Sequence, residues 1–157
     1  SGKQETDVTT LGLHYTTEPA ENEFKTKIVM NRDFKIPAGA YDFGTEKAFT
    51  IKNDTTVYAF NPHMHYRGKR MSFEAEYPDG RKEILLSVPN YNFNWQRTYH
   101  PETPLEFPPG TKITVRNAWD NSALNPHNPD PSRDVTWGDQ TFEEMFFATI
   151  GYIEKSE

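Results

Sequence analysis

The fold is decided by the alternating stretch Arg70-Met71-Ser72-Phe73-Glu74-Ala75-Glu76-Tyr77. Every second residue from Met71 onward is apolar or aromatic, and the residues between them are serine and glutamate. This alternation is typical of an antiparallel strand with one buried face and one solvated face. Pro78-Asp79-Gly80 then favours a tight turn into a second β-prone run, Lys82 to Val88. We therefore predict a β-hairpin whose glutamates lie on the solvent face.

Outward from this hairpin, the rest of the chain is also built of short β-prone runs. Twelve prolines and nine glycines favour turns between strands over long helices. The further predicted strands are 27–36, 48–51, 57–60, 112–119 and 143–153. We predict an all-β fold, an antiparallel β-sandwich with jelly-roll-like connections. One long irregular segment, at about residues 120–139, is rich in Asn, Asp and Pro, and such a loop in a compact domain is typically functional.

The length of the chain, 157 residues, suits one domain. We predict a single domain over residues 11–153, after a disordered lead-in at 1–10 and before a tail at 154–157. The start Ser1-Gly2 is typical of the scar that remains when an expression tag is cleaved off. Flanking parts of the natural protein would then leave no trace in this sequence.

Composition excludes several classes of function. The net charge of −6, from 23 acidic and 17 basic residues, argues against a nucleic-acid partner. No apolar run approaches the roughly 18 residues of a membrane segment, so none is predicted. The absence of cysteine removes disulfides, thiolate catalysis and cysteine-based zinc or iron–sulfur sites. Neither a Gly-rich phosphate loop nor a nucleophile-elbow sequence is present.

His63-Met64-His65 places two imidazoles one residue apart, directly after the β-prone run 57–60. Alternate residues of a strand face the same side, so both rings could reach one metal ion. A bare His-x-His more often means two ordinary histidines on an exposed strand. The best third partner is Met145, which follows Glu143-Glu144 in the closing β-prone run. Its thioether is soft and neutral, so a His/His/Met set would favour copper, particularly Cu(I). Methionine is also a common filler of cores, so spacing alone leaves both interpretations open.

Short motifs accompany the two histidines in a fixed order. The His-x-His-x-x-Gly-Lys pattern lies within Phe60 to Lys69, and the accompanying motifs are Gly12 to Thr16, Ile36-Pro37, Tyr91 to Gln96, Pro109-Gly110, Ile113 to Arg116 and Trp137 to Met145. This ordered set resembles the carboxy-terminal copper domain of the copper type II, ascorbate-dependent monooxygenase family. The resemblance covers the chain from about Leu11 to Tyr152.

The resemblance implies a jelly-roll domain with one copper ion held by His63, His65 and Met145. It also implies that the copper activates O2 to hydroxylate a C–H bond of an unidentified small molecule. A further implication is that the protein is periplasmic or secreted. The family places a second copper on another domain, and the remaining histidines of this chain are isolated from one another: His14, His100 and His127. Electrons are therefore expected from an external reductant such as ascorbate, or from a redox partner domain.

Two departures from the family pattern are visible. Animal members carry a disulfide whose cysteines align with Asn117 and Phe146, so that link is absent here. Peptide-amidating members hold a peptide carboxylate with an arginine, an asparagine and a tyrosine. The corresponding substrate-side positions are Asn61, Phe147 and Thr149, which lack a cation and so disfavour a glycine-extended peptide.

Alternatives from other classes remain open at this point. The domain could be a non-catalytic copper-binding or electron-transfer module that has kept the ligands. It could also be a carbohydrate- or ligand-binding jelly roll without metal, with an aromatic platform formed by Tyr91, Phe93, Trp95 and Trp119. The loop from Asp120 to Asp134 has oxygen ligands enough for calcium, but it lacks the spacing of an EF-hand.

Overall fold

A computed structural model of the chain describes residues 2–155 and shows an all-β sandwich. Over these residues no helix is long and apolar enough to cross a membrane. The strands within this range are β1 (Lys25–Asn31), β2 (Lys35–Ile36), β3 (Phe43–Thr50), β4 (Thr55–His63), β5 (Gly68–Glu76), β6 (Lys82–Val88), β7 (Leu105–Phe107), β8 (Lys112–Trp119), β9 (Val135–Thr136) and β10 (Phe146–Glu154).

Eight of these strands form two four-stranded antiparallel sheets. One sheet has the order β1-β10-β4-β7 and the other has the order β3-β8-β5-β6, while β2 and β9 pair separately. The buried core draws side chains from both sheets, such as Phe60 and Ile150 from the first and Phe73 and Val115 from the second. The sheets therefore pack face to face. This arrangement is a jelly-roll sandwich, which confirms the predicted fold class.

The predicted hairpin is confirmed as β5 and β6. Met71, Phe73 and Ala75 of β5 are buried, whereas the polar residues between them stay partly exposed. Glu74, on the solvent face, pairs at 3.2 Å with Arg116 of β8. At the turn, Gly80 has a φ of 86° and donates its N–H to the Tyr77 carbonyl at 2.9 Å.

Several predicted boundaries are wrong. The predicted strand 27–36 is two elements, because the Asn31 side chain accepts a hydrogen bond from the Asp33 N–H at 3.0 Å and turns the chain after β1. The predicted irregular segment 120–139 contains β9, whose Val135 pairs with Ile36 of β2. The predicted strand 143–153 begins only at residue 146, because Glu143 donates its N–H to the Gln140 carbonyl in a turn.

The two ends of the chain differ in their contacts. Residues 2–24 form no strand, and their large apolar side chains are exposed: Val8, Leu11, Leu13, Tyr15 and Phe24. At the other end, β10 runs to Glu154, and the Lys155 N–H donates to the Asp54 carbonyl at 2.9 Å. Ser1 of the predicted lead-in and residues 156–157 of the predicted tail lie outside the described residues.

Candidate metal centre

The two histidines lie at the end of β4. His63 is the last residue of that strand and His65 follows just beyond it, while Met64 between them is fully buried. The centroids of the two imidazole rings are 5.2 Å apart, and the rings are perpendicular at 89°. Two imidazoles that share one ion, each with its ligating nitrogen about 2.0–2.1 Å away, have ring centres about 5 Å apart. The spacing of the pair therefore fits a common metal ion.

Tyr91 clamps the backbone between the histidines. Its hydroxyl accepts the Met64 N–H at 3.0 Å and donates to the Met64 carbonyl at 2.8 Å. Burial raises the pKa of Tyr91 to about 12, so the hydroxyl keeps its proton at neutral pH. Gly68 lies so close that a Cβ there would be 2.6 Å from Tyr91 Cδ1 and 2.8 Å from Met64 Cβ. The glycine of the His-x-His-x-x-Gly pattern therefore makes room for the clamp.

The hydrogen bonds of each ring select which nitrogen can bind a metal. His63 Nδ1 lies 2.6 Å from Gln96 Oε1, and the Gln96 amide nitrogen donates to the Phe93 carbonyl at 2.9 Å. With its amide fixed in this way, Gln96 presents an acceptor, so His63 Nδ1 must carry the proton. His65 Nδ1 faces the Glu143 carbonyl at 3.3 Å and is a donor for the same reason. In its neutral form, each ring is thus the tautomer that leaves Nε2 with its lone pair.

Burial also favours the neutral form of His65, which is only 4% exposed. Burial lowers the pKa of His65, and the neighbouring His63 lowers this pKa further. Hydrogen bonds to the backbone carbonyls of Glu143 and Gln140 act to raise the pKa. A neutral imidazole is the form that binds a metal. His65 is therefore ready to act as a ligand at neutral pH.

Met145 lies directly before β10, half-buried. In the antiparallel register of β4 and β10, Phe147 faces His63. Met145 and His65 lie beyond this last residue pair, where the two segments meet through other contacts: His65 Nδ1 faces the Glu143 carbonyl at 3.3 Å, and the His65 N–H donates to the Glu144 carboxylate at 2.9 Å. The structure thus brings the segments of all three predicted ligands to one end of the β4–β10 pair. Their role as metal ligands stays a prediction.

Glu144 connects these segments inside the protein. Its carboxylate is fully buried and accepts hydrogen bonds from the His65, Arg67 and Met145 N–H groups and from Trp119 Nε1. Burial raises the pKa of Glu144 to about 7, although the hydrogen bonds from His65 and Arg67 and the Arg67 charge act to lower it. The structure therefore places an acidic side chain immediately behind the candidate ligands.

Arg67 extends this network into the long loop. Its guanidinium donates to Asn121 Oδ1 at 2.7 Å and to the Phe142 carbonyl at 2.8 Å. Burial lowers the pKa of Arg67, whereas the charges of Glu144 and Asp130 act to raise it. Asn121 is itself fully buried and donates to the carbonyls of Pro37 and Arg133. The loop predicted to be functional is therefore packed around the segment that follows the histidines.

The predicted substrate-side positions lie on the outward face of the same sheet as His63. The Phe147 ring meets the His63 ring edge-on, with 6.0 Å between centroids. Thr149 pairs with Asn61 across the sheet, and the Asn61 amide donates to Thr98 Oγ1 at 3.1 Å. All four of these side chains beside His63 are uncharged at neutral pH. The surface they form offers no cation to a substrate carboxylate.

The other predicted binding features are not assembled. Trp119 is fully buried, so its place in an exposed aromatic platform is wrong; it instead fills the core between Phe34 and Phe43. Within residues 2–155, no group of three or more His, Asp and Glu side chains is arranged to hold a metal ion. The carboxylates of the predicted calcium loop each have another partner. Asp120 accepts a hydrogen bond from Ser122, Asp130 accepts one from Ser132, and Asp134 forms an ion pair with Lys35.

The isolated histidines stay apart from the site in their contacts. His14 lies in the segment 2–24, which forms no strand, and is exposed. His100 places Nδ1 3.0 Å from the Tyr58 carbonyl, and His127 is exposed in the loop after β8. These positions give no role for the three side chains in the centre formed around His63 and His65.

Three contributors to the site were missed by sequence reasoning: Gln96, Glu144 and Arg67. Gln96 ends the motif Tyr91 to Gln96, and Glu144 directly precedes Met145, so both lie in segments that attracted attention. Their partners are distant, however, with Gln96 33 residues from His63 and Glu144 79 residues from His65. No local pattern of residues shows such pairings.

Comparison of the chain with protein-family models and with curated proteins finds no match. The resemblance to the copper monooxygenases is therefore still a prediction. The resemblance is the source of the expectation that the metal is copper. The arrangement of the histidines and their hydrogen bonds is observed in the structure and does not depend on the resemblance.

Proposed function

We propose that this chain is the copper-binding domain of a copper-dependent monooxygenase-like protein, with one copper ion on His63, His65 and Met145. The observation that carries the proposal is the histidine pair, whose ring centroids are 5.2 Å apart. Each Nδ1 faces an oxygen acceptor, Gln96 Oε1 or the Glu143 carbonyl, so both Nε2 lone pairs are available to one ion. A thioether from the adjacent segment makes copper the favoured metal.

Copper at this site would supply one-electron redox chemistry toward O2, for hydroxylation of a C–H bond with electrons from an external donor such as ascorbate or a redox partner domain. Gln96 and the Glu143 carbonyl orient the two imidazoles. The substrate would meet an uncharged surface formed by Asn61, Phe147 and Thr149. We therefore propose a small substrate without an essential carboxylate, and a secreted or periplasmic location by analogy with the family.

Copper stoichiometry and spectroscopy test the site. The purified chain should bind one copper ion, and X-ray absorption of the reduced form should show a sulfur neighbour. His63→Ala and His65→Ala should lose the ion, whereas Met145→Leu should lose the sulfur signal and keep a similar volume. His100→Ala is the matched control, because His100 contacts the Tyr58 carbonyl and not this site. Binding that survives His63→Ala, or a spectrum that Met145→Leu leaves unchanged, would contradict the assignment.

Oxygen consumption separates the catalytic proposal from the alternative. With ascorbate and copper, the chain should consume O2 faster than its His63→Ala and His65→Ala variants. Stoichiometric copper with reversible redox chemistry and no such difference would favour a non-catalytic copper-binding or electron-transfer module. No copper binding above that of the His63→Ala and His65→Ala variants would favour a ligand-binding jelly roll.

A further inference from the structure

One buried carboxylate joins the two segments that carry the candidate ligands. Glu144 Oε2 accepts the backbone N–H of His65 at 2.9 Å and that of Met145 at 3.3 Å. Neither amide lies in a strand, because β4 ends at His63 and β10 begins at Phe146. Where the backbone pairing of the two strands stops, the Glu144 side chain makes the next connection between them.

The same carboxylate is anchored in the core. Oε2 also accepts Trp119 Nε1 at 2.9 Å, and Oε1 accepts the Arg67 N–H at 2.6 Å. Trp119 ends β8 in the opposite sheet, and its ring packs against Phe34 with 4.5 Å between centroids. A carboxylate offers two oxygen acceptors, whereas a neutral amide offers one and adds a donor group. Four converging N–H groups are therefore matched to a carboxylate and not to an amide.

We propose that Glu144 is a positioning residue that fixes the spacing between His65 and Met145 and thereby the geometry of the copper site. This inference rests on the proposed function for its effect on copper, but the hydrogen bonds can be tested without any metal. Groups that orient metal ligands from outside change metal affinity by about 10- to 100-fold when mutated. We expect an effect of that size from the loss of Glu144 Oε2, the oxygen that accepts both the His65 and the Met145 N–H.

The first test uses the metal-free, unaltered chain. Amide hydrogen exchange followed by NMR should show the His65 and Met145 amides protected to about the same degree as the amides within β10. Both amides lie beyond the ends of their strands, so without the Glu144 carboxylate they should exchange like loop amides. Rapid exchange at both positions would overturn the proposal, whatever the chain does with copper.

The second test compares two variants of the same network. Glu144→Leu keeps a side chain of similar size but removes both acceptor oxygens, including the Oε2 shared by the His65 and Met145 N–H groups, whereas Trp119→Phe removes one donor and leaves the carboxylate to His65 and Met145. Both variants should lower the thermal midpoint. Only Glu144→Leu should weaken Cu(I) binding, by about 10- to 100-fold, and lose the copper–sulfur signal.

Equal copper affinity in the two variants, whether lowered or unchanged, would show that Glu144 acts only through stability and would overturn the proposal. If Glu144→Leu does not fold, the exchange measurement on the unaltered chain decides the question. If the unaltered chain binds no copper at all, the proposed function fails, and hydrogen exchange still shows whether Glu144 holds the two segments together.

Discussion

At the scale of single residues, Gly68 has little freedom to change. A Cβ at this position would lie 2.6 Å from Tyr91 Cδ1 and 2.8 Å from Met64 Cβ. The Tyr91 ring cannot easily move away, because its hydroxyl is bonded to both the N–H and the carbonyl of Met64. A new methyl group must therefore push on the backbone between the two histidines.

We expect Gly68→Ala to lower the free energy of unfolding by about 1–3 kcal/mol, the usual cost of overpacking. Copper binding should weaken as well, because the displaced backbone carries His63 and His65. Chemical denaturation and copper titration measure the two effects. Gly12→Ala is the control, since no atom lies within 4 Å of a Cβ built at that position. Identical denaturation midpoints for the two variants would contradict this account.

At the scale of elements, the β5–β6 hairpin is the best example of structure encoded locally. Alternation in β5 and the Pro78-Asp79-Gly80 turn lie within a few residues of each other, so they could be interpreted from the sequence. The end of β1 could not be predicted in this way. It depends on a hydrogen bond from the Asp33 N–H to the Asn31 side chain, which lies within an otherwise β-prone run. The pairing of β2 with β9 was missed because two-residue strands have no detectable period.

Gly80 at the hairpin turn gives an element-scale prediction. Its φ of 86° is in the left-handed region, where an L-residue costs about 1–2 kcal/mol. Gly80→Ala should lower the free energy of unfolding by that amount and leave copper affinity unchanged, since the turn joins the end of β5 opposite to Gly68. Gly80→Asn should cost less, because asparagine tolerates this conformation better. Urea denaturation of the three proteins gives the comparison, and an equal loss in both variants would count against it.

At the scale of the whole molecule, the sequence predicted the fold class and the segments around the candidate centre, but not the contacts between segments. The histidine pair is local and could be recognised, whereas Gln96 and Glu144 reach it only through tertiary structure. Trp119 was misassigned because an aromatic residue at a strand end looks the same in sequence whether it faces solvent or the core. Face and register depend on how two sheets meet, which single-strand patterns do not contain.

Copper should stabilise the folded chain as a whole. A ligand present at about 100 times its Kd, and bound by the native state alone, adds about 2.7 kcal/mol. For a chain of this size, 1 kcal/mol shifts the midpoint by about 2–4 °C, so copper should raise Tm by about 5–10 °C and a chelator should reverse the change. His65→Ala should abolish the shift and His100→Ala should retain it. Equal shifts in these two variants would place the copper elsewhere.

The position of β10 has a consequence for how the protein is made. This strand is the last of the described strands along the chain but lies in the middle of its sheet, between β1 and β4. During synthesis, β1 and β4 therefore leave the ribosome without their shared neighbour and must wait with unpaired edges, a state prone to aggregation. Because Met145 directly precedes β10, the three candidate ligands come together only after this strand has inserted between β1 and β4.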